Sequence, residues 1–232
     1  MNTIRRNQRS VTTWLALIII SAVLCLILPS TAEAEIAVDL VSTGTGSGST
    51  ITVSHTTSGS NRLMLVGISG RRTGGGLAIS SVKYNGVPLS LVGTRLDEWD
   101  GGYCGSFIYK LVAPDTGTHD VVVTFSGAPD LGGVVGVVTF TGVDQNTPLG
   151  TFVGAYGNSS TASVNVPSAA GELVLDTVTY WSTLMTAGGG QTQQWKAATG
   201  DCGGGGSTKP GSATVTMLWS LDYSDSWVIG AV

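Results

Sequence analysis

Apolar positions in this chain come in short, β-branched runs separated by Gly, Pro, Asn, Asp or Ser. The succession includes "ITVSHT", "RLMLVGIS", "ISSVKYNGVPLSLVG", "GSFIYKL", "HDVVVTF", "GVVGVVTFTG", "ASVNVP", "ELVLDTVTYW", "QTQQWKA", "ATVTMLWS" and "SWVIGAV". Some of these alternate apolar with polar, as a half-buried strand does, and others are continuous, as a strand buried on both faces is. No window carries a sustained 3.6-residue period with capping residues, so very little helix is expected. The pattern predicts about ten to thirteen strands. In "SVKYNGVPLSLVG" the Asn85-Gly86 pair is a two-residue hairpin signal, and Pro114, Asp115 and Gly117 mark another turn.

So many short strands in one stretch predict an all-β fold, a two-sheet antiparallel β-sandwich of jelly-roll, concanavalin-like type. The Gly-rich segments "RRTGGG", "TAGGG" and "GDCGGGGSTKPGS" are expected as mobile surface loops.

The N-terminus has a different pattern. Arg5, Arg6 and Arg9 precede the apolar run "WLALIIISAVLCLILP", and the small-residue exit "TAEA" ends at Ala34. This reads as a secretory signal peptide over residues 1–34, followed by one β-sandwich domain over 35–232. A retained anchor is the competing reading, but no basic flank follows the apolar run. Cys25 follows Leu24 rather than the small residue that a lipoprotein signal needs. The expected location is therefore secreted or extracellular, at the cell surface, with no membrane association after cleavage.

Charged residues make up only 11% of the chain while glycines number 34, a composition that suits an extracellular β protein. Cleavage would remove Arg5, Arg6, Arg9 and Glu33 and move the formal net charge from −4 to about −6, which argues against a nucleic-acid partner. Cleavage also leaves two cysteines, Cys104 and Cys202, which in an oxidising compartment are expected to form a disulfide.

The succession "ISSVKYNGVPLSLVG", "IYKLVAPDTGTHDVVVTFSG", "VVTFTGVDQNTPLG" and "GELVLDTVTY" resembles a recurring β-sandwich domain of secreted and surface bacterial proteins, over roughly residues 36–232. The resemblance implies extracellular binding, adhesion or structure, and it carries no catalytic motif onto this chain.

Chemistry-bearing residues are few. The chain contains no G-x-S-x-G, H-E-x-x-H, Walker or G-x-G-x-x-G motif, and its only histidines are His55 and His119. The densest cluster is "RLDEWDGGYCGS", Arg95 to Ser106. Glu98 and Asp100 are spaced like the carboxylates of E-x-D-x-x-E glycosidases, but the third position is Tyr103, whose phenol is a poor acid at neutral pH. Asp97, Asp100 and Asp201 supply hard oxygen ligands for Ca²⁺, against the simpler reading of solvated turn carboxylates. Trp99, flanked by Glu98 and Asp100, is the expected centre of a sugar-contacting surface, with Tyr103 and Trp181 as further contributors. Trp219 and Trp227, inside strand patterns, are expected in the core.

The reading that follows is a secreted, non-catalytic module for surface adhesion or glycan binding, with polysaccharide or a cell-surface glycan as partner. A self-associating subunit of an extracellular matrix or fibre is the first alternative, and a glycan-cleaving sandwich enzyme the second. No cofactor is expected apart from the Ca²⁺ reading.

Overall fold

The computed structural model describes residues 35–99 and 101–232, and the side chain of Trp99 is outside that description. The signal-peptide reading of residues 1–34 and the roles given to Asp100 fall outside the described residues.

Among the described residues the fold is all-β. The strands are β1 (Ala37–Gly46), β2 (Thr50–Thr57), β3 (Leu63–Arg72), β4 (Ile79–Tyr84) and β5 (Val87–Pro88). They continue with β6 (Ser90–Trp99), β7 (Gly102–Val112), β8 (Gly117–Phe125), β9 (Gly132–Thr141) and β10 (Val153–Pro167). The last are β11 (Leu173–Tyr180), β12 (Met185–Ala187), β13 (Thr192–Thr199), β14 (Cys202–Pro210) and β15 (Thr214–Ala231). Asn85 and Gly86 join β4 to β5 with φ of 49° and 79°, the left-handed pair that a type I′ hairpin requires.

These strands form antiparallel sheets packed face to face, with no closed barrel. There are three sheets where two were expected. A central sheet has the order β1-β9-β3-β7-β6, an outer sheet β2-β8-β4-β5, and a third sheet β10-β15-β11-β14-β13, with β12 added to β15. The central sheet is apolar on both sides. Met64, Val66, Ile68, Phe107, Val135 and Val137 face the outer sheet, and Leu63, Leu65, Ile108, Val134 and Val138 face the third. This explains why "LMLVGIS" and "VVGVVTF" do not alternate, whereas β2, with one face in water, alternates strictly. His55 of β2 bridges the outer and central sheets, with Nδ1 3.0 Å from Ser42 Oγ and Nε2 2.8 Å from Thr139 Oγ1.

The run "CGGGGSTKP" is not a surface loop. It is strand β14, buried from Cys202 to Thr208 between β11 and β13. Its glycines are set by close approach of the layers. A Cβ on Gly206 would stand 2.1 Å from the Trp195 indole, and one on Gly205 2.8 Å from the Trp219 ring. From the central sheet, a Cβ on Gly136 would also stand 2.1 Å from Trp195. Trp195 of β13 thus lies in a slot whose walls are glycine backbone, and the two sheets close on it.

The third sheet carries another core on its far face. β15 pairs with β10 along almost its whole length, but only its second part, near Val228–Ala231, also pairs with β11. The register breaks between Ser159 and Thr161, opposite Ser220–Asp225, and the first part of the ribbon lays Val215, Met217 and Trp219 over Val174, Val178 and Tyr180. A buried polar network pins it there. Asp176 accepts from Ser207 N (2.7 Å), Ser207 Oγ (2.9 Å) and Trp219 Nε1 (2.9 Å). Gln191 Nε2 donates to Ser207 Oγ, and Leu218 N donates to Gln191 Oε1, both at 2.7 Å. Burial raises the Asp176 pKa to about 7 against these three donors, from an ordinary 3.8.

The Trp195 slot predicts that Gly206→Ala costs about 3 kcal/mol in chemical denaturation, because neither backbone nor indole can yield. In a Trp195→Leu background the same change should cost less than half as much, and simple additivity of the two changes would count against the slot.

The buried ionisable groups predict opposed pH dependences. Burial lowers the His55 pKa from 6.5 to about 4, so its contribution is full above pH 6.5 and is lost as pH falls through 4. Asp176, raised, contributes most below pH 3.8 and loses that contribution as pH rises through 7. His55 is worth about 3 kcal/mol and Asp176 about 4 across the window, with opposite slopes, so unfolding free energy should change by only about 1 kcal/mol between about pH 4 and 7. His55→Gln should expose the Asp176 slope, with stability rising on acidification over that window in denaturation curves.

Candidate functional site

The β6–β7 hairpin carries most of the expected site residues, and its alternation divides them. Asp97 pairs with Cys104, Glu98 with Tyr103 and Trp99 with Gly102, around a turn in which Gly101 has φ of 107°. Ser106 Oγ donates to Thr177 O across the gap to the third sheet, so Cys104 and its neighbour Asp97 share that inward face. Glu98 and Tyr103 lie on the opposite face, where Tyr103 packs against the core beneath the outer sheet. The Tyr103 hydroxyl donates to Glu98 Oε1 at 3.1 Å. That bond and the Glu98 charge raise the phenol pKa, which moves Tyr103 further from service as a proton donor.

Cys104 and Cys202 are both fully buried and are free thiols, not the expected disulfide. Cys202 lies on the face of β14 that meets the central sheet, as Gly204 and Gly206 do, so the two cysteines come together between the layers. Burial pushes Cys202 up to about 12 and raises Cys104 further, with the neighbouring thiol adding to the effect, so almost no thiolate exists to begin an exchange.

Of the calcium reading, Asp97 and Asp201 are described and Asp100 is not. Asp97 faces the buried cysteine layer, and burial raises its pKa. Asp201, in the turn between β13 and β14, presents its backbone carbonyl to Arg71 Nη1 at 2.6 Å. Among the described residues no three His, Cys, Asp or Glu side chains gather as a metal site.

Trp181 belongs to a different constellation. It follows β11 and packs on the core beyond the third sheet, two layers away from Tyr103. Its ring lies 6.4 Å from that of Tyr223, tilted by 32°, and 5.8 Å from that of Tyr180. The Tyr180 hydroxyl donates to a fork formed by Asp222 Oδ1 (3.0 Å) and Tyr223 O (3.1 Å), and Asp222 N donates to Leu184 O at 3.0 Å. Tyr223 and Leu184 are 64% and 61% exposed, more than the other large apolar side chains in the described residues. The result is a shelf of Trp181, Tyr223 and Leu184 beside the Asp222 carboxylate, at the bend of the ribbon.

The structure therefore brings Glu98 and Tyr103 together, places Trp181 elsewhere, and adds Tyr180, Leu184, Asp222 and Tyr223, which sequence reasoning missed. The available signal was "SLDYSDS", a polar interruption within the apolar run of β15 that includes an aromatic residue.

No family model, curated protein or solved structure matches the chain.

The cysteine environment predicts that native protein prepared under reducing conditions resists aromatic disulfide reagents and oxidised glutathione. Both thiols should titrate at once after denaturation. Rapid modification of either one in the native state would show that the layer between the sheets is open.

Proposed function

We propose that this chain is a secreted, non-catalytic binding module that engages a polysaccharide or cell-surface glycan through Trp181, Tyr223 and Leu184. The observation that carries the reading is the aromatic shelf, in which the exposed Tyr223 ring lies 6.4 Å from the half-buried Trp181 ring at a shallow tilt, beside a carboxylate fixed by Tyr180. Pyranose rings stack their C–H faces on aromatic surfaces, and a fixed acceptor fits their hydroxyls. Neighbouring rings at a shallow angle suit a saccharide chain better than a single sugar. The basic-apolar-small pattern of the N-terminus and the low charge of the remainder support an extracellular place of work. The Glu98–Tyr103 pair is satisfied internally and offers no acid for bond cleavage, which favours binding over hydrolysis.

Tyr223→Ala should weaken binding on a glycan array at least about tenfold, as loss of a central aromatic anchor does, with the melting temperature nearly unchanged because the ring is mostly in water. Chelator should leave binding intact. If glycan binding survives Tyr223→Ala and is lost in Trp99→Ala, the binding surface belongs to the β6–β7 tip instead.

A further inference from the structure

Each of the three sheets ends in two edge strands, and an unprotected edge is a template for another strand. Most of the edges are guarded. β1 carries Asp39, β6 carries Arg95, Asp97 and Glu98, and β13 carries Lys196. β5 is two residues long and ends at Pro88. β2 lies against β1 at the corner between sheets, where a Cβ on Gly44 would come within 2.6 Å of Val53. β10 differs. It spans 15 residues, "VGAYGNSSTASVNVP", with no charged side chain and its one proline at the last position.

The hydrogen-bond phase shows which of its groups face outward. Leu175 and Val232 exchange both backbone bonds, at 2.8 and 2.9 Å. By antiparallel alternation, Trp227, Ile229 and Ala231 then direct their main-chain groups to β10, towards Gly157, Ala155 and Val153. Gly154, Tyr156 and Asn158 therefore point their N–H and C=O away from the sheet. Past Asn158 the edge closes on itself, because Ser159 Oγ donates to Thr161 O and accepts from Thr161 N. The open template is Val153–Asn158. Beside it, Tyr156 is 49% exposed, with the Arg95 guanidinium 4.2 Å from its ring centre.

We propose that a second copy of this chain pairs its β10 with this one, antiparallel, about a two-fold axis through Tyr156. Tyr156 then faces its own counterpart and Gly154 faces Asn158 of the other copy, which forms about six backbone hydrogen bonds, two for each bonded pair. Identity of the partner follows from charge. A neutral strand can oppose itself with no like-charge contact, whereas a charged strand would find no counter-charge on β10. Two Tyr156 rings side by side, each backed by an Arg95, add a cross-strand aromatic pair. The contact is isologous and closes as a dimer. It does not depend on the glycan reading.

Light scattering across a concentration series should show a monomer–dimer equilibrium. Hydrogen exchange should show the Gly154, Tyr156 and Asn158 amides protected in concentrated protein and exposed on dilution, with Val153, Ala155 and Gly157 protected in both. Tyr156→Lys combined with Asn158→Lys, which sets like charges face to face at position 156 and diagonally between 156 and 158, should raise the dimer Kd at least about tenfold. Asn165→Lys, in the far half of β10, should leave it unchanged. A monomer at every concentration, open-ended polymers, or a dimer indifferent to the two lysines would overturn the proposal. If the lysine variant fails to fold, the exchange contrast in the unaltered protein decides the matter: equal exchange of those three amides at both concentrations counts against it.

Discussion

The stack of three sheets depends on one close approach, the contact of Trp195 with the glycine backbones of β9 and β14. Sheets usually pack about 10 Å apart with side chains interdigitating from both faces. Here a single indole fills the gap at the centre, because Gly136 on one side and Gly206 on the other contribute no side chain. The shape of the indole matters more than its polarity. Trp195 Nε1 and the nearby Thr177 Oγ1 are buried with no hydrogen-bond partner in the described protein, a state that costs about 1–3 kcal/mol for each group. Such groups persist where the packing around them contributes more than they lose.

The second dependence runs from Asp176 to the aromatic shelf. The ribbon of β10 and β15 has to leave the third sheet and return over its face, and hydrophobic packing alone specifies that return poorly. The Asp176 carboxylate gathers donors from β14 and β15, and Gln191 ties the backbone of Leu218 to the same point. A buried carboxylate with three donors is directional, so Trp219 has one seat and the bend after it one path. The shelf is built on that bend. Its position is therefore inherited from a polar network in the core, while Tyr223 and Leu184 lie largely in water and Trp181 is half-buried against that core.

Local features were legible in the sequence because they have local causes. The Asn85-Gly86 turn needs only its own φ angles, and the strand runs need only their pattern. Trp219 and Trp227, placed in the core by their strand context, are 0% and 7% exposed. The glycine run of β14 was not legible, for a physical reason. Consecutive glycines look the same whether they free the chain or let other residues approach it, and the residues that approach, Trp195 and Trp219, are distant in sequence. The third sheet was hidden in the same way: two-sided burial of β3 and β9 says that both faces are covered, and leaves open what covers them. The expected site at "RLDEWDGGYCGS" divided because alternation sends neighbouring residues to opposite faces. Glu98 and Asp97 are adjacent in the chain and lie in different layers.

The run "SLDYSDS" shows how an exposed aromatic face can arise from a folding necessity. The two parts of β15 line the same core beyond the third sheet, with Val215, Met217, Trp219 and Leu221 before the bend and Trp227, Ile229 and Ala231 after it, and the bend between them lies in water. Polar residues occupy the bend, and Tyr223 within them is 64% exposed, outside that core. Tyr180 is buried, and its hydroxyl needs a partner, which it finds in Asp222 and the Tyr223 carbonyl. The same bond that satisfies Tyr180 thus fixes the orientation of the exposed carboxylate. An aromatic face and an oriented acceptor come together at the rim of that core, so the exposed Tyr223 ring can change with little effect on the packing that holds the fold.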